Sequence, residues 1–208
     1  MYKTFQNFVF QEDIRKVIAI VLLYKFAFLT IVFFGYHLLP FSSGSFYANL
    51  HYPSTEHISF LTTFQTWDGQ HYHLIAKEGY NKNSMSSAFY PLYPTLISIF
   101  SYVTSLSNVV TAILLSNLLS FGAVILLFLL SKEFMDSERA ILVIILFLTY
   151  PVAFYTNVMY SESLFLILIF GFFYAVYKEN IFFASILAVL LPLSRPQGHL
   201  VIAVFFIF

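Results

Sequence analysis

The chain contains no cysteine, which excludes disulfides and thiolate metal sites. Charge is nearly as scarce. Only 10% of the 208 residues are Asp, Glu, Lys or Arg, where soluble domains carry about a quarter. The basic and acidic residues cancel to a net charge of zero, so nothing points to nucleic acid as a partner. A small-residue cleavage site is also missing after the first apolar run, which is itself too long for a signal peptide. Hydrocarbon fills the space instead: 60% of residues are hydrophobic and the mean hydropathy is +0.82. A soluble core could not hide so many Phe, Leu and Ile. Apolar runs of about 18 residues or more recur, the signature of membrane-spanning helices. The aromatic share is 21%. Interfacial aromatic belts explain only some of it, and the codon usage of an AT-rich genome explains more.

These features predict an all-α, polytopic transmembrane protein folded as a single membrane domain over residues 1–208. Spans are expected at about 17–39, 108–130, 140–156, 163–177 and 181–208. Residues 89–106 are too short and open with Pro91 and Pro94, so that segment is expected to dip into the membrane or lie beside it. Between the first span and that segment runs a long polar loop, expected to lie outside the cytoplasm and to carry short interfacial helices. Its apolar insert at 58–61 argues for packing on the membrane surface. The apolar stretch from Val201 to Phe208 has no cap or polar tail, which predicts a C-terminally truncated fragment. Lys3, Arg15 and Lys16 precede the first span and should stay cytoplasmic. If 89–106 does not cross, Lys132, Arg139 and Lys178 fall on that same inner side, and Asp68 and Glu162 share the outer one. Lys25 interrupts the first span and is expected to snorkel back to the headgroups; the other reading has it binding a lipid phosphate.

Three polar clusters stand out of this apolar background. The first is Trp67-Asp68-Gly69-Gln70-His71-Tyr72-His73, read as the start of a helix that ends at Gly79. Asp68, His71, Tyr72 and Ile75 then share one face. The residues allow Asp68 as a plain N-cap acid, with Trp67 and Tyr72 as interfacial anchors. They also allow a metal site with His71 and His73, although those two point to different faces. A third reading makes Asp68 a general base, since a hydroxyl attacks poorly at neutral pH unless a positioned base removes its proton. The second cluster, Tyr160-Ser161-Glu162-Ser163, is either a capped helix start or a carboxylate able to accept two hydrogen bonds from sugar hydroxyls. The third, Ser194-Arg195-Pro196-Gln197-Gly198, puts an arginine inside an apolar run. At a span centre that costs about 2.5–3.5 kcal/mol, so a functional partner is the default, and the guanidinium fork suits phosphate oxygens. Snorkelling near a helix end is the alternative.

Taken together, these clusters and Ala88-Phe89-Tyr90-Pro91-Leu92-Tyr93-Pro94 resemble the signatures of the PIG-V family. These are the glycosylphosphatidylinositol second-mannose transferases and their prokaryotic relatives, within the GT-C glycosyltransferase superfamily. The matches occur in the expected order across residues 67–198. The third motif usually reads Arg-Ser-Asn-Gly, and Pro196 and Gln197 replace its middle pair here. The resemblance implies a GT-C-like fold and an inverting mannosyltransferase that uses a polyprenyl- or dolichyl-phosphate sugar and needs no cofactor or metal. It implies Asp68 as catalytic base, with substrate contacts at Trp67, His71, Tyr72, Glu162, Arg195 and Gln197. Its partners would be the lipid-linked donor and membrane lipid, with the need for a further subunit left open. It implies an integral membrane location, in a prokaryotic plasma membrane or, in a eukaryote, the endoplasmic reticulum. No nucleotide-binding glycine loop occurs, consistent with a lipid-borne donor. The competing readings are a GT-C-type transferase of another sugar and a non-catalytic membrane subunit or transporter.

Overall fold

Long apolar stretches with few helix breakers give long helices, and the computed structural model is all-helical over the residues it describes, 2–53, 59–81 and 85–201. Among the described residues, two helices are long and apolar enough to cross a membrane. They are α1 (Tyr2–Leu38), through its part Gln11–Leu38, and α5 (Asn108–Lys132). At 1.5 Å per residue each exceeds the roughly 30 Å of a hydrocarbon core. A third crossing exists if α6 (Ser137–Thr149) and the 3-10 turn Pro151–Asn157 count as one bent pair. The sequence predicts one continuous run over 140–156, but the helix stops at Thr149 and the chain turns by 83°. The reason is local. Pro151 has no N–H to donate and forces the preceding Tyr150 out of the helical region, to φ −63°, ψ 133°. Three shorter apolar helices complete the body: α4 (Leu92–Thr104), α7 (Glu162–Tyr177) and α8 (Ile181–Ser194). Residues 202–208 of the last expected span and Ile58 of the loop's apolar insert lie outside the described residues.

Helix α5 is the spine. Its small residues let neighbours approach closely, as in packed membrane helices. A Cβ on Gly122 would lie 2.8 Å from Ile167 Cδ1 of α7. One core joins α3 (Asp68–Glu78), α4, α5, α7 and α8 around Tyr93, Ile97, Phe172 and Leu191. The other joins α1, α5 and α6 around Val17, Phe128 and Ile144.

Ion pairs and hydrogen bonds sort the two ends of the body. At one end the buried Asp13 carboxylate accepts from Ser137, which also binds Lys132, and Lys178 pairs with Glu133 at 2.6 Å. Helix α7 finishes at that end and α8 leaves it, so the start of α7 and the finish of α8 bring Glu162 and Arg195 together at the other. Helix α4 stays at this second end. Its Tyr93 hydroxyl meets Ser116 Oγ at 2.6 Å, and its Ser101 donates to Asn108 Oδ1 at 2.6 Å. It therefore runs antiparallel to the first turns of α5 and finishes level with the start of that helix. The long loop carries α2 (Ser43–Phe46), the 3-10 turns Leu61–Gln65 and Met85–Ala88, and α3. Gly79 ends α3 at φ +78° and donates its N–H to the Ile75 carbonyl at 2.9 Å, a conformation that favours glycine.

Lys25 corrects an expectation. It does not snorkel. Its ammonium turns into the protein and donates to Asn117 Oδ1 and Ser120 Oγ, both at 2.8 Å, and to Asn157 Oδ1 at 3.1 Å. Three well-placed protein acceptors satisfy the donors of an ammonium without dragging it to the headgroups.

Candidate active site

Trp67 caps α3 with an unusual backbone, φ 52° and ψ −112°. A non-glycine residue there stores strain of about 1–3 kcal/mol, and such residues cluster at functional sites. Its indole N–H donates to the Ser45 carbonyl at 3.0 Å, and its own carbonyl accepts from Gln70 N at 3.1 Å. Because Trp67 takes the cap position, Asp68 is the first helical residue and does not cap α3, contrary to the simplest expectation for it. The neighbour of its carboxylate is Asn49, whose Nδ2 lies 3.5 Å from Oδ1.

Close packing carries residues 158–162 to this carboxylate. Gly69 sits so near Met159 that a Cβ would be 3.3 Å from the Met159 carbonyl oxygen. Met159 N donates to Phe64 O at 3.0 Å, and the Tyr160 hydroxyl donates to Thr66 O at 3.1 Å. Asp68 and Glu162 consequently line one cavity of about 300 Å³, together with Asn49, Trp67, Tyr155 and Tyr160. The rings of Tyr155 and Tyr160 stack at 4.9 Å and 11°. Burial, and next the Asp68 carboxylate, push the Tyr160 phenol above its ordinary range.

Arg195 does not line that cavity but pairs with Glu162, which does. Its Nη1 lies 2.5 Å from Glu162 Oε1, with both side chains about a quarter exposed. The turn Pro196–His199 holds it there. A Cβ on Gly198 would meet the Leu191 carbonyl oxygen at 2.1 Å, and Gly198 N donates to the Arg195 carbonyl at 3.0 Å. The glycine of this motif is thus demanded by backbone contact. Pro196 opens the turn without needing an N–H, and the Gln197 side chain is exposed.

The other expected contact residues sit behind the cavity. Tyr72 is buried, and its hydroxyl shares a hydrogen bond with Ser161 Oγ at 2.7 Å. Burial pushes its phenol far up, while the Ser161 hydrogen bond opposes the shift. His71 faces away: its Nδ1 meets Ser86 Oγ at 2.9 Å and its ring stacks on Phe89 at 4.4 Å. Burial lowers its pKa, and Asp68 partly restores it. His73 bonds Gln65 Oε1 at 2.8 Å. Among the described residues no three His, Cys, Asp or Glu side chains converge on a metal position. Sequence reasoning missed Asn49 and Tyr155. Tyr155 lies in an aromatic run behind Pro151, which resembles ordinary apolar sequence, and Asn49 carries no local signal.

No protein-family model, curated protein or solved structure matches the chain.

Proposed function

We propose that this chain is a membrane glycosyltransferase that moves mannose from a polyprenyl- or dolichyl-phosphate donor to an acceptor hydroxyl, with inversion. The observation that carries the reading is that Asp68 and Glu162, distant in sequence, line one small cavity walled by aromatic rings, with Arg195 paired to Glu162. Asp68 removes the acceptor proton as the hydroxyl oxygen attacks the anomeric carbon. The bond from that carbon to the phosphate oxygen breaks, and the lipid phosphate leaves with the electron pair. Arg195 offsets the developing phosphate charge, an effect strengthened where water is sparse. Glu162 accepts hydrogen bonds from sugar hydroxyls, and the faces of Trp67 and Tyr155 stack on the sugar's C–H surface.

The charge distribution supports an orientation. Arg15, Lys16, Lys132, Arg139 and Lys178 belong to the Asp13 end, which the positive-inside tendency assigns to the cytoplasm. The cavity then faces the extracytoplasmic or lumenal side, where lipid-linked sugars are reached from the bilayer.

One observation favours transport instead: Lys25 in mid-span beside the broken α6, since transporters place ionisable groups and discontinuous helices at the midplane. Its three donors, however, are bonded to protein acceptors, whereas Asp68 faces a cavity. Radiolabelled transfer from polyprenyl-phosphate mannose, comparing the wild-type full-length chain with Asp68→Asn, decides the matter. Equal transfer by both removes Asp68 from the chemistry.

A further inference from the structure

Lys25 lies in the middle of the apolar stretch Gln11–Leu38, and the proposed chemistry leaves it unused. A cation at that depth is costly and needs a reason. Among the described residues its acceptors are Asn117 and Ser120 on α5 and Asn157 at the end of the turn Pro151–Asn157, none of them a carboxylate. Asn157 is the hub. It is buried, its Nδ2 donates to the Tyr24 hydroxyl at 3.1 Å, and its carbonyl accepts from Asn117 Nδ2 at 3.2 Å. α1 and α5 therefore grip one residue from two sides through its side chain and its backbone.

Directly after Asn157 the chain builds the cavity wall. Met159 abuts Gly69, Tyr160 and Glu162 line the cavity, and Ser161 bonds Tyr72. Further bonds keep this segment in register: Ser116 Oγ donates to the Tyr160 carbonyl at 3.3 Å, and Ser163 Oγ to the Thr156 carbonyl at 2.9 Å. The chain before Asn157 has just broken out of α6, so no continuous helix holds it. An ammonium can bind three acceptors on two elements at once, which no neutral side chain of that length does.

We infer that Lys25 is a positioning residue: its ammonium clamps Asn157 to α5 and so sets where Tyr160 and Glu162 stand opposite Asp68. The catalytic consequence rests on the transferase reading, but the geometric one does not. Trp67 is the sole tryptophan of the chain and lines the cavity, so its fluorescence reports the wall directly.

The test uses the full-length chain in detergent or nanodiscs. Lys25→Met keeps length and removes the donors; Lys25→Arg keeps a cation with several donors. Asn157→Ala cuts the side-chain bonds to Lys25 and Tyr24 and leaves Lys25 two acceptors; Tyr24→Phe removes the second bond alone, is its control, and is expected to quench as wild type. The expected result is a change of twofold or more in acrylamide quenching of Trp67 for Lys25→Met and Asn157→Ala, with unchanged helical content by circular dichroism. Lys25→Arg stays closer to wild type. Transfer kcat falls tenfold or more for the first two variants, while donor KM stays within about twofold. Wild-type quenching in a folded Lys25→Met or Asn157→Ala chain overturns the clamp; Asn157→Ala decides if Lys25→Met does not fold. Altered quenching with no transfer by the wild-type chain sustains the clamp and rejects the transferase.

Discussion

Arg195 Nη1 lies 2.5 Å from Glu162 Oε1, and that same carboxylate shares its cavity with Asp68. The guanidinium is therefore held beside the cavity by an internal anion, with which the phosphate of the proposed donor would have to compete. A phosphate that binds Arg195 competes with Glu162 for the same donors, and the carboxylate it displaces becomes free for a hydroxyl.

This competition has a definite sign. Glu162→Gln keeps the side chain's size and removes its charge, so Arg195 becomes more available to phosphate. Donor KM is expected to fall, by about threefold or more, while kcat also falls because the sugar loses its ionic acceptor. Arg195→Gln should do the opposite to KM. Steady-state kinetics with varied polyprenyl-phosphate sugar checks both, and a raised KM in Glu162→Gln would show that the lost sugar contact outweighs the freed guanidinium, against the competition.

Magnitude separates the proposed base from its neighbour. A general base contributes about 10²–10⁴-fold, so Asp68→Asn should lose that much kcat with little change in KM. Asn49 offers only a neutral amide at 3.5 Å, near the limit of a hydrogen bond. Asn49→Ala is expected to cost less than about tenfold. Equal losses in the two variants, measured by single-turnover transfer, would count against the assignment.

His71 predicts a pH dependence of stability. Burial holds its folded pKa below the ordinary 6.5. Unfolded chains then bind its proton more readily than folded ones. The stabilisation is present above about 6.5 and is lost as pH falls through the lowered folded value. Thermal melts between pH 5 and 8 should show a decline on the acid side that His71→Asn flattens.

Two glycines make a matched pair. A Cβ on Gly198 would collide with the backbone of Leu191 at 2.1 Å, whereas one on Gly35 meets nothing within 4 Å. Gly198→Ala should destabilise the chain by about 1–3 kcal/mol or more, as overpacking does, and raise donor KM by moving Arg195. Gly35→Ala, inside α1, should be neutral or stabilising by up to about 1 kcal/mol. Thermal unfolding in the same detergent compares them.

Much of the architecture follows from local chemistry. Apolar length marks α1 and α5, Gly79 ends α3, and Pro151 breaks the run that begins at α6. The polar clusters at Asp68, Glu162 and Arg195 stand out because an apolar chain carries few charges without cause. Sequence alone left other matters open, because they depend on what lies opposite. Tertiary packing turned Lys25 inward, as the acceptors Asn117, Ser120 and Asn157 come from segments far along the chain. It directed His71 to Ser86 and Phe89, away from the cavity, and brought in Asn49 and Tyr155, which have no motif of their own. Above all, the Gly69–Met159 contact set Asp68 and Glu162 on one cavity, and the Gly198 turn set Arg195 against Glu162. Periodicity and composition report what each segment buries, but only the packed chain determines which polar groups then face one another.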